Sequence, residues 1–201
     1  MCPRKPVLLT ALMMLAQSLP AHADPLPPET LVERLTEGGY VLYIRHAQTE
    51  SDYADQVTAD PENCASQRVL SRTGWAQARA IGAAIDAAGI PVAEVLSSQY
   101  CRAWQTADLA FGYHEETAAL NFEPAEDYTD VQIAAMRDRV APLVLAEMQG
   151  GSNRVIVGHD DPFEALTDIY PEPQGVAYVL QVRDGAIEVL GAIAPDAWPG
   201  M

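Results

Sequence analysis

Short apolar runs punctuate this chain, and two of them end in a histidine. Tyr40-Val41-Leu42-Tyr43-Ile44 leads directly into Arg45-His46, and Val155-Ile156-Val157-Gly158 leads directly into His159. Four or five β-branched and aromatic residues without polar alternation read as strands buried on both faces, the form a parallel sheet takes. Residues 92–96 make a third run, residues 117–121 a weaker one, and runs over 176–182 and 186–193 flank Arg183-Asp184-Gly185, a tight hairpin turn. Between the runs, apolar residues recur at helical spacing. A short helix is expected over 29–37, with Leu31, Val32 and Leu35 on one face. A longer one is capped by Ser71 or Thr73 and runs to Ala88, with Trp75, Ala78, Ile81 and Ile85 at helical spacing and Gly89 ending it. Further helices are expected over 99–110, over 129–148 with Pro142 kinking or splitting it, and from Asp161-Pro162 to Tyr170. Alternating strands and helices predict an α/β fold: a three-layer α/β/α sandwich around a mostly parallel central sheet. Residues 47–68 carry few apolar positions and read as a long loop over the edge of the crevice.

The first 23 residues are patterned differently. Arg4-Lys5 precedes a mostly apolar stretch from Val7 to Leu19, and Ala21-His22-Ala23 supplies small residues two apart, so residues 1–23 read as a cleaved signal peptide and residues 24–201 as one domain. The apolar stretch falls short of the roughly 20 residues a membrane span needs. Losing Arg4 and Lys5 leaves ten basic against 28 acidic residues, a net charge of −18. Such an acidic envelope argues against nucleic acid or anionic membrane as partner. The expected location is outside the cytoplasm, periplasmic or secreted. In that oxidising setting the two remaining cysteines, Cys64 and Cys101, read as a disulfide. There is no CxxC and no HExxH, so neither a metal site nor another cofactor is expected. The sequence leaves the oligomeric state open.

In an open α/β sheet, the residues just after each parallel strand emerge at the carboxyl edge, where ligands bind. Arg45, His46 and His159 therefore point at one crevice, and Arg102 joins them in the first turn after the strand at 92–96. Guanidinium groups match phosphate oxygens two at a time, and a neutral imidazole can attack phosphorus if its other nitrogen is held as a donor. His46 is thus the candidate nucleophile and Arg45, Arg102 and His159 the candidate phosphate clamp, with a protonated His159 donating to a phosphate oxygen. Taken singly, three of them have plainer readings: His46 as a histidine that simply ends a strand, His159 as one that supports the site by fixing a loop, Arg102 as a surface ion-pair partner.

Four stretches in order are similar to the histidine phosphatase superfamily, with its phosphoglycerate mutase-like fold. They are Leu42-Tyr43-Ile44-Arg45-His46-Ala47-Gln48-Thr49-Glu50; Leu70-Ser71-Arg72-Thr73-Gly74-Trp75-Ala76-Gln77-Ala78; Leu96-Ser97-Ser98-Gln99-Tyr100-Cys101-Arg102-Ala103-Trp104-Gln105-Thr106-Ala107; and Val155-Ile156-Val157-Gly158-His159. The resemblance implies a phosphohistidine on His46 and a pocket completed by Arg45, Arg102 and His159. It also exposes departures. Ala47 stands where glycine is commonest, and Asp52 where mutase-like members carry a pocket asparagine. The family's acidic glutamate is not evident near Leu120-Asn121-Phe122. Asp160, Glu123 and the neighbouring Glu126 and Asp127 are the substitutes within reach, Asp160 narrowly ahead of Glu123. The expected function is an exported phosphatase for small phosphomonoesters or phosphorylated protein side chains. The alternatives are a phosphate-binding pseudoenzyme without turnover and, further behind, a phosphotransferase or mutase.

Overall fold

The computed structural model describes residues 24–52, 55, 59–124 and 127–199. The signal-peptide region lies outside them. Six strands form one mixed sheet in the order β3-β2-β4-β1-β5-β6, where β1 is Val41–Arg45, β2 Val92–Ser97, β3 Glu115–Glu116, β4 Asn153–Gly158, β5 Ala177–Arg183 and β6 Ala186–Ile193. The pairs β1/β4, β2/β4 and β2/β3 are parallel. The pairs β1/β5 and β5/β6 are antiparallel. Asp184 and Gly185, both at positive φ, make the two-residue turn between β5 and β6, as the twist of a hairpin favours.

Side chains alternate across the sheet, so β1 feeds two cores. Leu42 and Ile44 pack with Val155 and Val157 of β4 beneath α1 (Pro28–Glu37), α2 (Arg72–Ala87) and α3 (Cys101–Phe111). Val41 and Tyr43 face the other way, with Ile156 and Leu180, against α4 (Asp130–Leu145) and α5 (Asp160–Thr167). The expected three layers are present.

Several local expectations fail for identifiable reasons. Residues 118–120 form a 3₁₀ turn and not a strand; the edge strand β3 lies earlier, at 115–116. Pro142 sits inside α4 without dividing it, and Ala146 still donates to the Pro142 carbonyl. Trp75 is 48% exposed although Ala78, Ile81 and Ile85 of the same helix are buried. It sits in the first turn of α2 and joins none of the buried clusters. Finally, α5 begins at Asp160, two residues before Pro162, and His159 precedes it without a side-chain cap.

Two glycines allow backbones to meet where the site is assembled. A Cβ at Gly158 would lie 2.3 Å from the Tyr43 hydroxyl. That hydroxyl donates to the His159 carbonyl at 2.9 Å, so the bare backbone of Gly158 lets Tyr43 pin the residue after β4. A Cβ at Gly74 would lie 1.9 Å from the Gln48 carbonyl oxygen, which packs the start of α2 against the segment following His46.

The expected Cys64–Cys101 disulfide is present, joining residues 37 apart in sequence. It ties the loop after β1 to the first residue of α3, beside Arg102. Gln67 reinforces the junction by accepting the Cys101 N–H at 2.8 Å. Closing a loop of this length contributes about 3–4 kcal/mol in the chain-entropy model. Cys64→Ser is expected to lower the urea midpoint by that energy divided by the denaturant slope. An unchanged midpoint would show that the loop is held without the bridge.

Candidate active site

The parallel pairing of β1 with β4 sets Arg45 opposite Gly158, and the His46 N–H continues the ladder to the Gly158 carbonyl at 2.9 Å. His46 and His159 therefore leave adjacent strands at the same edge, their rings edge to face with centroids 5.4 Å apart. Both are fully buried. Arg45 and Arg102 are buried beside them. The structure thus brings together the four residues that the sequence singled out for phosphate chemistry.

His46 is oriented by its neighbour. Its Nδ1 lies 2.9 Å from the Ala47 carbonyl, which can only accept, so Nδ1 carries the proton and Nε2 keeps its lone pair. The Arg102 Nε–H reaches that Nε2 at 3.2 Å. The Ala47 N–H donates to Thr106 Oγ1 at 3.0 Å, and the Thr106 hydroxyl donates to the Arg102 carbonyl at 2.7 Å. Ring and guanidinium are therefore fixed through α3. Burial, and after it the charge of Arg102, hold the His46 imidazole well below the usual histidine range, with Arg45 and Arg68 adding to the effect and the Ala47 carbonyl opposing it. The ring is neutral near neutral pH.

Arg102 lies against the paired rings of Tyr100 and Phe122, at 5.3 and 5.1 Å from their centroids, and its Nη1 pairs with Asp55 at 2.9 Å. Arg45 donates from Nη1 to the Pro171 carbonyl at 2.8 Å and from Nη2 to Asp160 at 2.5 Å, with its guanidinium over the Tyr170 ring. His159 meets Ser98 Oγ through Nε2 at 2.8 Å. Burial first, then Arg102 and His46, lower its imidazole well below the usual range. Burial and these charges favour the neutral ring, and an anion beside it would act in the opposite direction.

Buried polar atoms without partners are rare and mark places where something else binds. Among the described residues six such side-chain atoms occur, and three belong to this cluster: Arg45 Nε, Arg68 Nε and His159 Nδ1. Arg68 was missed by the sequence reading. It lies in a loop without periodicity, yet its charge acts on His46, Arg102 and His159. Asp55 was missed for the same reason; it holds both the Arg102 guanidinium and the Arg68 N–H, the latter at 2.7 Å. Three guanidinium groups thus outweigh the acidic envelope locally and make an anion pocket around a neutral imidazole.

The carboxyl candidates fare less well as proton donors. Asp160 Oδ2 accepts from Arg45 and, at 2.8 Å, from the Tyr170 hydroxyl. Glu123 pairs with Arg139 of α4 at 2.6 Å. Oxygens that accept from a guanidinium are poorly placed to carry a proton for a leaving group. Asp127 is exposed, and Glu126 lies outside the described residues. Asp52 is exposed and takes a hydrogen bond from Ser51 at 3.2 Å, so its charge does not face Arg102 or His159. An open groove of about 1070 Å³ starts at Arg45 and runs past Gln48, Gln77, Gln174, Glu172 and Asp196, with room for a substrate much larger than phosphate. Among the described residues no group of three or more His, Cys, Asp or Glu side chains is arranged to hold a metal ion.

The family model for the histidine phosphatase superfamily (branch 1) matches residues 41–127. The protein histidine phosphatase SixA complexed with tungstate is similar in structure, with a TM-score of 0.55, 14% identity, and coverage of 78% of this chain and 97% of that one. A phosphoserine phosphatase from Entamoeba histolytica, in complex with 3-phosphoglyceric acid, gives a TM-score of 0.58 at 16% identity over 77% and 96%. A mycobacterial glucosyl-3-phosphoglycerate phosphatase complexed with VO3 gives 0.58 at 15% over 76% and 97%. Comparison with curated proteins gave no match. The matched segment contains Arg45, His46 and Arg102; over it the chain is similar to the histidine phosphatase superfamily, and the neighbours share its fold.

Proposed function

We propose that this protein is an exported phosphatase that works through a phosphohistidine on His46. The observation that carries the reading is the state of His46: neutral, its Nδ1 committed to Ala47, its Nε2 lone pair turned to the Arg102 guanidinium. In-line attack by Nε2 on phosphorus forms the phosphohistidine and expels the leaving group. Water then cleaves the phosphorus–nitrogen bond and restores the ring. Arg45, Arg102 and Arg68 offset the charge on the transferring phosphoryl oxygens. A dry, prearranged set of cations does this better than water can.

The leaving group sets the substrate class. With Asp160 and Glu123 both bound by arginines, the site supplies little acid to an alkoxide. It suits leaving groups that depart without much help: the imidazole of a phosphorylated histidine, a phenol, or an acyl group. The likeness to a protein histidine phosphatase supports the first of these, and the groove beyond Arg45 has room for a protein side chain and its flanking residues. The same arginine pairing favours the second reading, a pseudoenzyme that holds phosphorylated ligands without turnover. Export rests on the pattern of residues 1–23 and on the disulfide; among the described residues no helix is long and apolar enough to cross a membrane.

Turnover of a nitrophenyl phosphate separates the enzyme from the pseudoenzyme, because that leaving group needs almost no acid. The wild-type protein is expected to hydrolyse it, His46→Ala to be inactive, and Arg102→Ala to lose roughly 10²–10³ in kcat, as loss of one oxyanion contact does. Near-normal activity in His46→Ala would remove the nucleophile assignment, and no turnover by the wild type would leave the pseudoenzyme standing.

Asp160 is expected to act by holding Arg45. Asp160→Asn should therefore slow nitrophenyl and alkyl phosphate hydrolysis by similar factors. A much larger loss on the alkyl ester alone would restore Asp160 as the proton donor.

A further inference from the structure

The hydrogen-bond chain behind His159 has one consistent proton arrangement. The Gln99 backbone N–H reaches Asn121 Oδ1 at 3.1 Å, and Asn121 Nδ2 reaches Gln99 Oε1 at 3.0 Å, which together fix the amide so that Oδ1 faces Ser98. The Ser98 hydroxyl must then donate to Asn121 Oδ1, 2.8 Å away, since that oxygen can only accept. Having spent its single proton, Ser98 Oγ accepts from the Tyr100 N–H at 3.2 Å and from His159 Nε2 at 2.8 Å. His159 therefore carries its proton on Nε2 and keeps a lone pair at Nδ1, the buried atom that has no partner among the described residues. The ring cannot swing away. Tyr100 and Phe122 meet it edge to face at 5.4 and 4.8 Å, and Tyr43 holds its backbone carbonyl.

A lone pair in that position conflicts with a phosphate dianion, whose oxygens are acceptors as well. We propose that Ser98 and Asn121 are positioning residues that make binding of a phosphoryl group require one added proton, held between a phosphoryl oxygen and His159 Nδ1. This rests on the reading of the pocket as a phosphate site. The proton comes either on the ligand, as a monoanion, or from a buffer acid or hydronium onto Nδ1, which leaves the conjugate base in solvent; no phosphorus bond breaks in either case. The groups that face His159 are His46 after β1, Arg45 at the end of β1, Arg102 of α3 and Arg68 of the loop, together with Ser98 and the Tyr43 hydroxyl. The cations oppose an extra proton on the ring until an anion offsets them. Uptake is thus tied to binding and does not precede it. The added proton also lies in the pocket when the leaving group departs, in a site whose carboxylates are bound by arginines.

The test uses tungstate, a fully deprotonated tetrahedral dianion near neutral pH, so any proton taken up must come from the buffer. Titration calorimetry in two buffers of different ionisation enthalpy is expected to show about one proton absorbed per tungstate, with the Kd weakening about tenfold per unit rise in pH. Ser98→Ala frees the ring to carry its proton on Nδ1 and donate directly, so uptake should fall towards zero while tungstate still binds. Spectra of the ¹⁵N-labelled histidine nitrogens follow the same event in the unsubstituted protein: His159 with Nε2 alone protonated before tungstate and both nitrogens protonated after it. Binding without proton uptake, a proton on Nδ1 before tungstate is added, or uptake that disappears in His46→Asn because His46 is the acceptor would each overturn the proposal. Failure of tungstate to bind at all would instead count against the phosphate site itself.

Discussion

The site depends on the parallel pairing of β1 with β4 at the middle of the sheet. Setting Arg45 opposite Gly158 fixes where both chains leave the sheet, and so fixes His46 and His159 side by side. A slip of one residue would reverse which face each side chain of β1 meets, exchanging Leu42 and Ile44 with Val41 and Tyr43 between the two cores. Hydrophobic packing on both faces therefore holds the edge that carries the two histidines in register. Gly158 and Tyr43 refine it, since the hydroxyl that would collide with any larger residue at 158 is the one that pins the His159 carbonyl.

Electrostatics then act on a framework already made. The chain is strongly acidic, yet Arg45, Arg68 and Arg102 gather where two imidazoles are buried. Burial and the surrounding cations act in the same direction on the histidines and keep them neutral. For His46 that neutrality is what a nucleophile requires, and for His159 it leaves a lone pair facing the pocket. Asp55 and Asp160 moderate two of the arginines, and the disulfide secures the loop that carries Arg68 and Asp55 to the first turn of α3.

The legible part of this molecule was the part governed by local repetition. The runs ending in Arg45-His46 and Gly158-His159 are pure apolar strands, and parallel strands in one sheet all end at the same edge, so their terminal polar residues had to meet there. The helix expected to run from a Ser71 or Thr73 cap to Ala88 was readable from apolar spacing, and it and the helix expected over 99–110 span residues 72–87 and 101–111. What escaped has no period. Arg68 and Asp55 reach the pocket from a polar loop positioned by a disulfide and by Gln67, and nothing in their neighbours in sequence marks them. Trp75 obeyed the helical spacing but is half exposed in the first turn of α2, outside every buried cluster, so periodicity assigned it to a core it does not join. Asp160 and Glu123 illustrate a different limit: sequence placed two carboxyl groups near the pocket, but only the structure shows that Arg45 and Arg139 hold them.

The central claim is that phosphoryl transfer passes through His46 Nε2. Rapid-quench labelling with a phosphate-labelled substrate, with the labelled peptides then mapped under alkaline conditions, tests it most directly. The account predicts a transient label that is stable to base, lost in acid, and confined to the peptide containing His46. Label on another residue, or turnover with no covalent intermediate at any quench time, would contradict it.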